Sequence, residues 1–172
     1  MRGVNISCDM HELKDFCNRV NENLSAEYRR EFYKACAKEL AARMLALVIP
    51  RTPVGVYPEG SGKVGGTLRR GWTSKTHDEA ASGSGRSSGT AGKSYAQTLP
   101  ITKNGNTYTV EIINPVEYAS YVEFGHRTRN GAGWVEGKYM LTISEEKLKK
   151  IAPNALEKLV QKAFAEACNG GN

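Results

Sequence analysis

Cysteine is scarce and unpatterned in this sequence. Cys8, Cys17, Cys36 and Cys168 never fall at the two-residue spacing of a zinc knuckle or a redox pair. The histidines His11, His77 and His126 are scattered and give no metal-ligand spacing. No metal or other cofactor is therefore expected. Apolar runs are short, the longest covering residues 44–49, against the roughly 20 residues that a membrane helix needs. Membrane association is not expected. Residues 1–10 lack the apolar centre of a secretory signal, so the expectation is a soluble chain made and kept in a reducing compartment. No block of five Lys or Arg occurs, although the net charge is +6 and the pI about 9.2. A dedicated basic tail is excluded, while a solvated basic surface, an acidic partner or nucleic acid stays open. Aromatic residues are 8% of 172, which suits a thin core in one domain.

Helical periodicity is present at both ends of the chain. Leu13, Phe16, Cys17, Val20 and Leu24 recur at helical spacing, and Asp9 with Glu12 resembles a capping box, which predicts a helix over residues 9–23. A longer helix is predicted over residues 26–48, with Ser25 as N-cap and Glu27 in the first turn. Its buried stripe is Tyr33, Cys36, Ala37, Leu40, Met44, Leu47 and Val48, and Pro50 and Pro53 end it. Leu68 and Trp72 anchor a strand or ordered turn over residues 67–72. Residues 74–96 are so rich in serine and glycine that they read as a disordered loop. Strands on either side of Lys103-Asn104-Gly105-Asn106 form a β-hairpin, with Tyr108, Val110 and Ile112 facing inward. Pro115 opens a short helix that turns Tyr118, Tyr121 and Val122 inward and stops at Gly125. Trp134-Val135 and residues 139–143 read as strand, and a last helix starts near Ser144, with Pro153 kinking or restarting it. The expected architecture is a single α+β domain over residues 1–172, its core uniting Tyr33, Leu40, Leu47, Tyr118 and Val122.

Catalytic constellations are weak. His126 lies near Glu123 and Arg127, but no nucleophile, base and stabiliser converge with it. Glu117 and Glu123 are six residues apart and do not share a helix face. Gly60, Gly62, Gly65 and Gly66 lack the phosphate-loop pattern. The run Leu68-Arg69-Arg70-Gly71-Trp72 could follow a nucleic-acid backbone, yet arginine and tryptophan are equally the residues of protein interfaces. The expected interface set is Arg51, Leu68, Arg69, Arg70, Trp72, Glu123, Phe124, His126, Arg127 and Trp134, with no catalytic residue.

Two segments together resemble a known family. Thr52-Pro53-Val54-Gly55 and Gly66-Thr67-Leu68-Arg69-Arg70-Gly71-Trp72 match its first motif, split here by extra residues. Asn114, Tyr118-Ala119 and Tyr121-Val122-Glu123-Phe124-Gly125 match its second. The sequence is similar in these segments to the tail-component, head–tail joining proteins of long-tailed bacteriophages. The resemblance implies a non-enzymatic virion protein of a phage or prophage, assembled in the bacterial host cytoplasm. It also implies self-association in a ring-like homo-oligomer, contacts with other neck and tail proteins, and non-specific proximity to DNA in the channel. The rival expectation, from charge and Arg69-Arg70, is a small basic nucleic-acid-binding protein.

Overall fold

The computed structural model describes residues 4–9, 26–62, 64–83 and 89–169. In chain order the elements are β1 (Val4–Asp9), α1 (Ala26–Arg51), α2 (Thr67–Gly71), α3 (His77–Ala81) and α4 (Gly89–Thr98). They continue with β2 (Ile101–Asn104), β3 (Thr107–Ile112), α5 (Ala119–Phe124), β4 (Gly125–Arg127), β5 (Trp134–Glu136) and α6 (Met140–Asn169). The fold is α+β, as the residue patterns predict. One antiparallel sheet has the order β1-β3-β2, and β4 pairs with β5 in a separate ribbon.

Helix α1 is the spine. At 1.5 Å per residue it is about 39 Å long, and it packs against α4, α6 and β3. Of the expected stripe, Tyr33, Cys36, Ala37, Leu40, Met44 and Val48 are buried and Leu47 is partly covered. A second face, carrying Ala41, Leu45 and Ile49, is buried too. The helix includes Pro50 and ends only at Arg51. Thr52 closes that last turn: its N–H donates to the Val48 carbonyl at 3.0 Å and its hydroxyl donates to the same oxygen at 2.8 Å. Helix α6 lies antiparallel to α1, because Arg51 reaches Ser144 near its start while the Tyr28 hydroxyl reaches the Ala163 carbonyl near its end.

The β2–β3 hairpin forms where the Asn-Gly turn predicts it, with Gly105 at φ 58. Tyr108, Val110 and Ile112 point into the core. The Tyr108 ring meets Tyr33 at 5.6 Å between centroids, which joins the sheet to the N-terminal half of α1.

Other expectations need correction. Asp9, the expected helix cap, ends strand β1 opposite Thr107; residues 10–23 lie outside the described residues. Of the strand or ordered turn expected over residues 67–72, the strand does not form; the segment is the short helix α2 with its capping residue. The stretch 74–96, read as a disordered loop, carries α3 and most of α4, with Ser74, Ala80 and Ala96 buried, while residues 84–88 within it lie outside the described residues. Small residues serve packing there. A β-carbon on Gly92 would sit 3.0 Å from Leu45 Cβ and 3.2 Å from Ile49 Cδ1, so glycine lets α4 lie close on the second face of α1. Helix α3 is fixed by Thr76, whose hydroxyl accepts from the Glu79 N–H, while the Glu79 carboxylate accepts from the Lys75 N–H. Lys38 closes the far end of α4 by donating to the Gln97 carbonyl at 2.6 Å.

The short helix α5 begins at Ala119, later than Pro115 suggests; Val122 packs on the core as expected, but the two tyrosines do not turn inward. Tyr118 and Tyr121 are exposed, and Glu123 is buried at 4%. Residues 139–143 do not form a strand, because α6 begins at Met140 and takes up all but the first of them. Pro153 is exposed and lies within the continuous helix α6.

Gly92→Val should cost about 1–3 kcal/mol by overpacking against Leu45, measured as a lower urea midpoint. An unchanged midpoint would contradict the close α1–α4 contact. Tyr118→Ala, at an exposed position, should cost less than about 1 kcal/mol in the same assay.

Candidate functional site

The two sequence motifs come together at the C-terminal end of α1, and most of their residues face inward. Thr52 is fully buried, and its N–H, hydroxyl and carbonyl are all hydrogen-bonded. Its hydroxyl accepts from the Trp72 indole N–H at 2.7 Å. Its carbonyl accepts from Arg69 Nε at 3.0 Å and Nη2 at 2.7 Å. Trp72 and Leu68 are 3% and 4% exposed, so both are core residues rather than surface. Arg70 is likewise spent within the chain, donating to the Ala80 carbonyl at 2.8 Å and the Gly65 carbonyl at 3.1 Å. Five donors on one planar guanidinium suit such multi-carbonyl bracing.

Asn114 joins the second motif to the first. Its amide donates to the Leu68 carbonyl at 2.8 Å, and its oxygen accepts from the Val116 N–H at 3.2 Å. A β-carbon on Gly71 would lie 2.2 Å from that oxygen, so only glycine fits against it.

Glu123 does the corresponding work for α6. One carboxylate oxygen accepts from the Leu141 N–H at 2.8 Å; the other accepts from the Thr142 N–H at 2.9 Å and the Thr142 hydroxyl at 2.7 Å. A carboxylate satisfies the free N–H groups of a helix start and lies at the positive end of its dipole. Tyr139, the residue just before α6, has φ 45, and its N–H donates to the Glu123 carbonyl at 3.1 Å. Gly125 and Gly137 permit this crossing, since β-carbons there would lie 2.4 Å and 2.3 Å from the Val135 and Glu123 carbonyl oxygens. Glu123 is therefore a structural cap, and Arg51, donating to the Ser144 hydroxyl at 3.3 Å, braces the same junction.

The surface held by this lock is aromatic. Tyr118, Tyr121, Phe124, Trp134 and Tyr139 are each more than 40% exposed, and Val135 joins them. His126 packs its ring against Tyr121 at 5.8 Å, and its Nδ1 is buried without a hydrogen-bond partner among the described residues. Arg127 pairs with Trp134 across the β4–β5 ribbon and is exposed. Burial pushes the Tyr118 hydroxyl above its usual pKa, as does nearby Tyr57, with Arg70 opposing them. Tyr57 thus lies near Tyr118, the residue that precedes α5. Of the expected interface residues, Phe124, His126, Arg127 and Trp134 thus share one side of the molecule, whereas Leu68, Trp72 and Glu123 are interior. Among the described residues no three of His, Cys, Asp or Glu gather in a cation site, and no helix is long and apolar enough to cross a membrane.

Sequence reasoning missed that Thr52, Asn114 and Glu123 are the interior hubs. The available signal was polarity itself: a motif that keeps single polar residues between apolar ones is consistent with buried hydrogen bonds. The family model described as "Bacteriophage HK97-gp10, putative tail-component" matches residues 14–125, well over half of the chain. The chain belongs to this family and is a phage tail component, a protein of the virion. No curated protein and no solved structure matches it. The matched region contains both motifs and ends at Gly125, the first residue of β4, so the rest of the β4–β5 ribbon and α6 lie beyond it.

Glu123→Ala should cost about 2–3 kcal/mol, because it leaves two N–H groups and a hydroxyl without their charged acceptor. Trp72→Phe should cost about 1–2 kcal/mol by removing the indole donor from buried Thr52. Urea denaturation measures both, and losses below about 0.5 kcal/mol would show that these bonds do not hold the junction.

Proposed function

We propose that this tail component acts at the head–tail junction, in tail completion or head–tail joining, as the subunit of a ring-like homo-oligomer. The observation that carries the reading is the aromatic face on α5, the β4–β5 ribbon and the start of α6. A set of large exposed aromatics on a rigidly braced element is what an assembly surface requires, since fixed side chains lose little entropy on docking. The partners on this reading are further copies of the chain and other neck and tail proteins. DNA passes nearby in the channel without sequence-specific contact. No catalytic step or cofactor is assigned, and assembly takes place in the host cytoplasm. The alternative of a nucleic-acid-binding module loses its main support, because Arg69 and Arg70 donate to backbone carbonyls within the chain.

Tyr121→Ser with Trp134→Ala should leave the urea midpoint within about 1 kcal/mol of the parent, as both are surface positions. The double variant should nevertheless block assembly, so that separate heads and tails accumulate under negative stain. Antibody-gold against the chain should mark the head-proximal end of wild-type tails. Label at the distal tip, or normal particles from the folded double variant, would contradict the proposal.

A further inference from the structure

Between Pro53 and Gly66 the chain leaves the core as an arm. Gly65 lies so close to the Gly55 carbonyl that the two limbs run side by side, and a turn with Gly60 and Gly62 at positive φ reverses them. Among the described residues neither limb belongs to a sheet. The arm carries apolar residues outward: Val56 is 94% exposed and Val64 76%. Its leading limb reads Val56-Tyr57-Pro58-Glu59, apolar residues followed by a carboxylate near the tip. This arm is the insertion that splits the first motif, so the braced core around Thr52 and Trp72 does not require it.

A pocket of about 340 Å³ lies at the other end of α1. The Tyr33 and Tyr108 side chains contribute to its apolar lining, and Arg29, Arg30 and Lys103 supply cations. Lys103 Nζ stands 5.6 Å over the Tyr108 ring. Among the described residues that line it none is acidic, and Glu31 on the same helix is taken by Lys34 at 2.7 Å. An apolar floor with a cationic rim fits an apolar side chain next to a carboxylate.

The arm leaves the core at the opposite end of α1, about 31 Å along the helix from Arg30 to Arg51, and none of its described residues lines the pocket of its own subunit. We propose that the leading limb of the arm, Val56-Tyr57-Pro58-Glu59, of one copy docks in the Arg29–Arg30–Lys103 pocket of a second copy. The inference rests on the self-assembly proposed above and adds to the aromatic face a second contact between copies. Arm and pocket are different surfaces at opposite ends of α1, so the contact is head-to-tail. Contacts of that kind propagate into a closed ring or an open helical array, not a two-fold dimer.

Charge exchange tests the pairing. Glu59→Lys and Arg30→Glu each alter an exposed residue, so circular dichroism and urea midpoints should match the wild type. In sedimentation velocity at high protein concentration, wild type should self-associate, and each variant alone should associate at least about tenfold more weakly. An equimolar mixture of the two variants should regain wild-type association, because each junction then joins opposite charges. Val56→Asp should weaken association without rescue by either partner. A wild-type chain that stays monomeric, variants that associate like wild type, or a mixture that fails to recover would each overturn the arm-in-pocket contact. If the variants still form rings, self-assembly stands and only the arm is removed from it. Binding of duplex DNA that is lost in Arg30→Glu but kept in Glu59→Lys and Val56→Asp would assign the pocket to nucleic acid and overturn the inference.

Discussion

The buried side chain and carbonyl of Thr52 are the point on which the rest of this structure depends. Its hydroxyl both closes the last turn of α1 and receives the Trp72 indole N–H, while its carbonyl receives the Arg69 guanidinium. A helix that ends after a proline needs such substitute bonding, because its last carbonyls have no intrahelical donor. Once Thr52 is fixed, Leu68 and Trp72 are placed in the core, and Asn114 can tie α2 to the end of the sheet. Low local dielectric makes each of these bonds costly to leave unmade, so the cluster favours one geometry over its neighbours.

A second polar junction extends that order to the surface. The Glu123 carboxylate grips the start of α6 from the short helix α5, and the same helix presents Tyr118, Tyr121 and Phe124 outward. One face of a six-residue helix is thereby a cap and the other an aromatic patch. Such a short helix has little intrinsic stability. Its position is set by tertiary bonds, and an aromatic surface built on it inherits their rigidity.

Much of the fold was legible in the sequence. The period of α1, the Asn-Gly hairpin and the alternation of Tyr108, Val110 and Ile112 each follow from local rules that the core obeys. The composition of residues 74–96 misled, because serine and glycine suggest disorder when their neighbours are unknown. Gly92 instead allows close approach to Leu45 and Ile49, and Ala96 is buried, facts about the packing on α1 rather than about the stretch itself. The Thr76–Glu79 cap was a local signal that could have revealed α3. Tyr118 and Glu123 were reversed for a related reason: hydrophobicity argues for burying tyrosine and exposing glutamate, but the open N-terminus of α6, distant in sequence, reverses both. The motif residues carried family identity correctly while most of them proved to be framework, and the exposed neighbours Tyr121 and Trp134 became the stronger surface candidates.

Cryo-electron microscopy of the assembled neck and tail offers the most direct view of the central claim, that interior polar locks hold a face through which copies assemble. The account predicts a closed ring in which Tyr121, Phe124 and Trp134 are buried between subunits. Arg69, Trp72, Asn114 and Glu123 keep their partners within each chain. A ring with those aromatics facing solvent, or with Arg69 and Trp72 reaching into a neighbouring subunit, would contradict it.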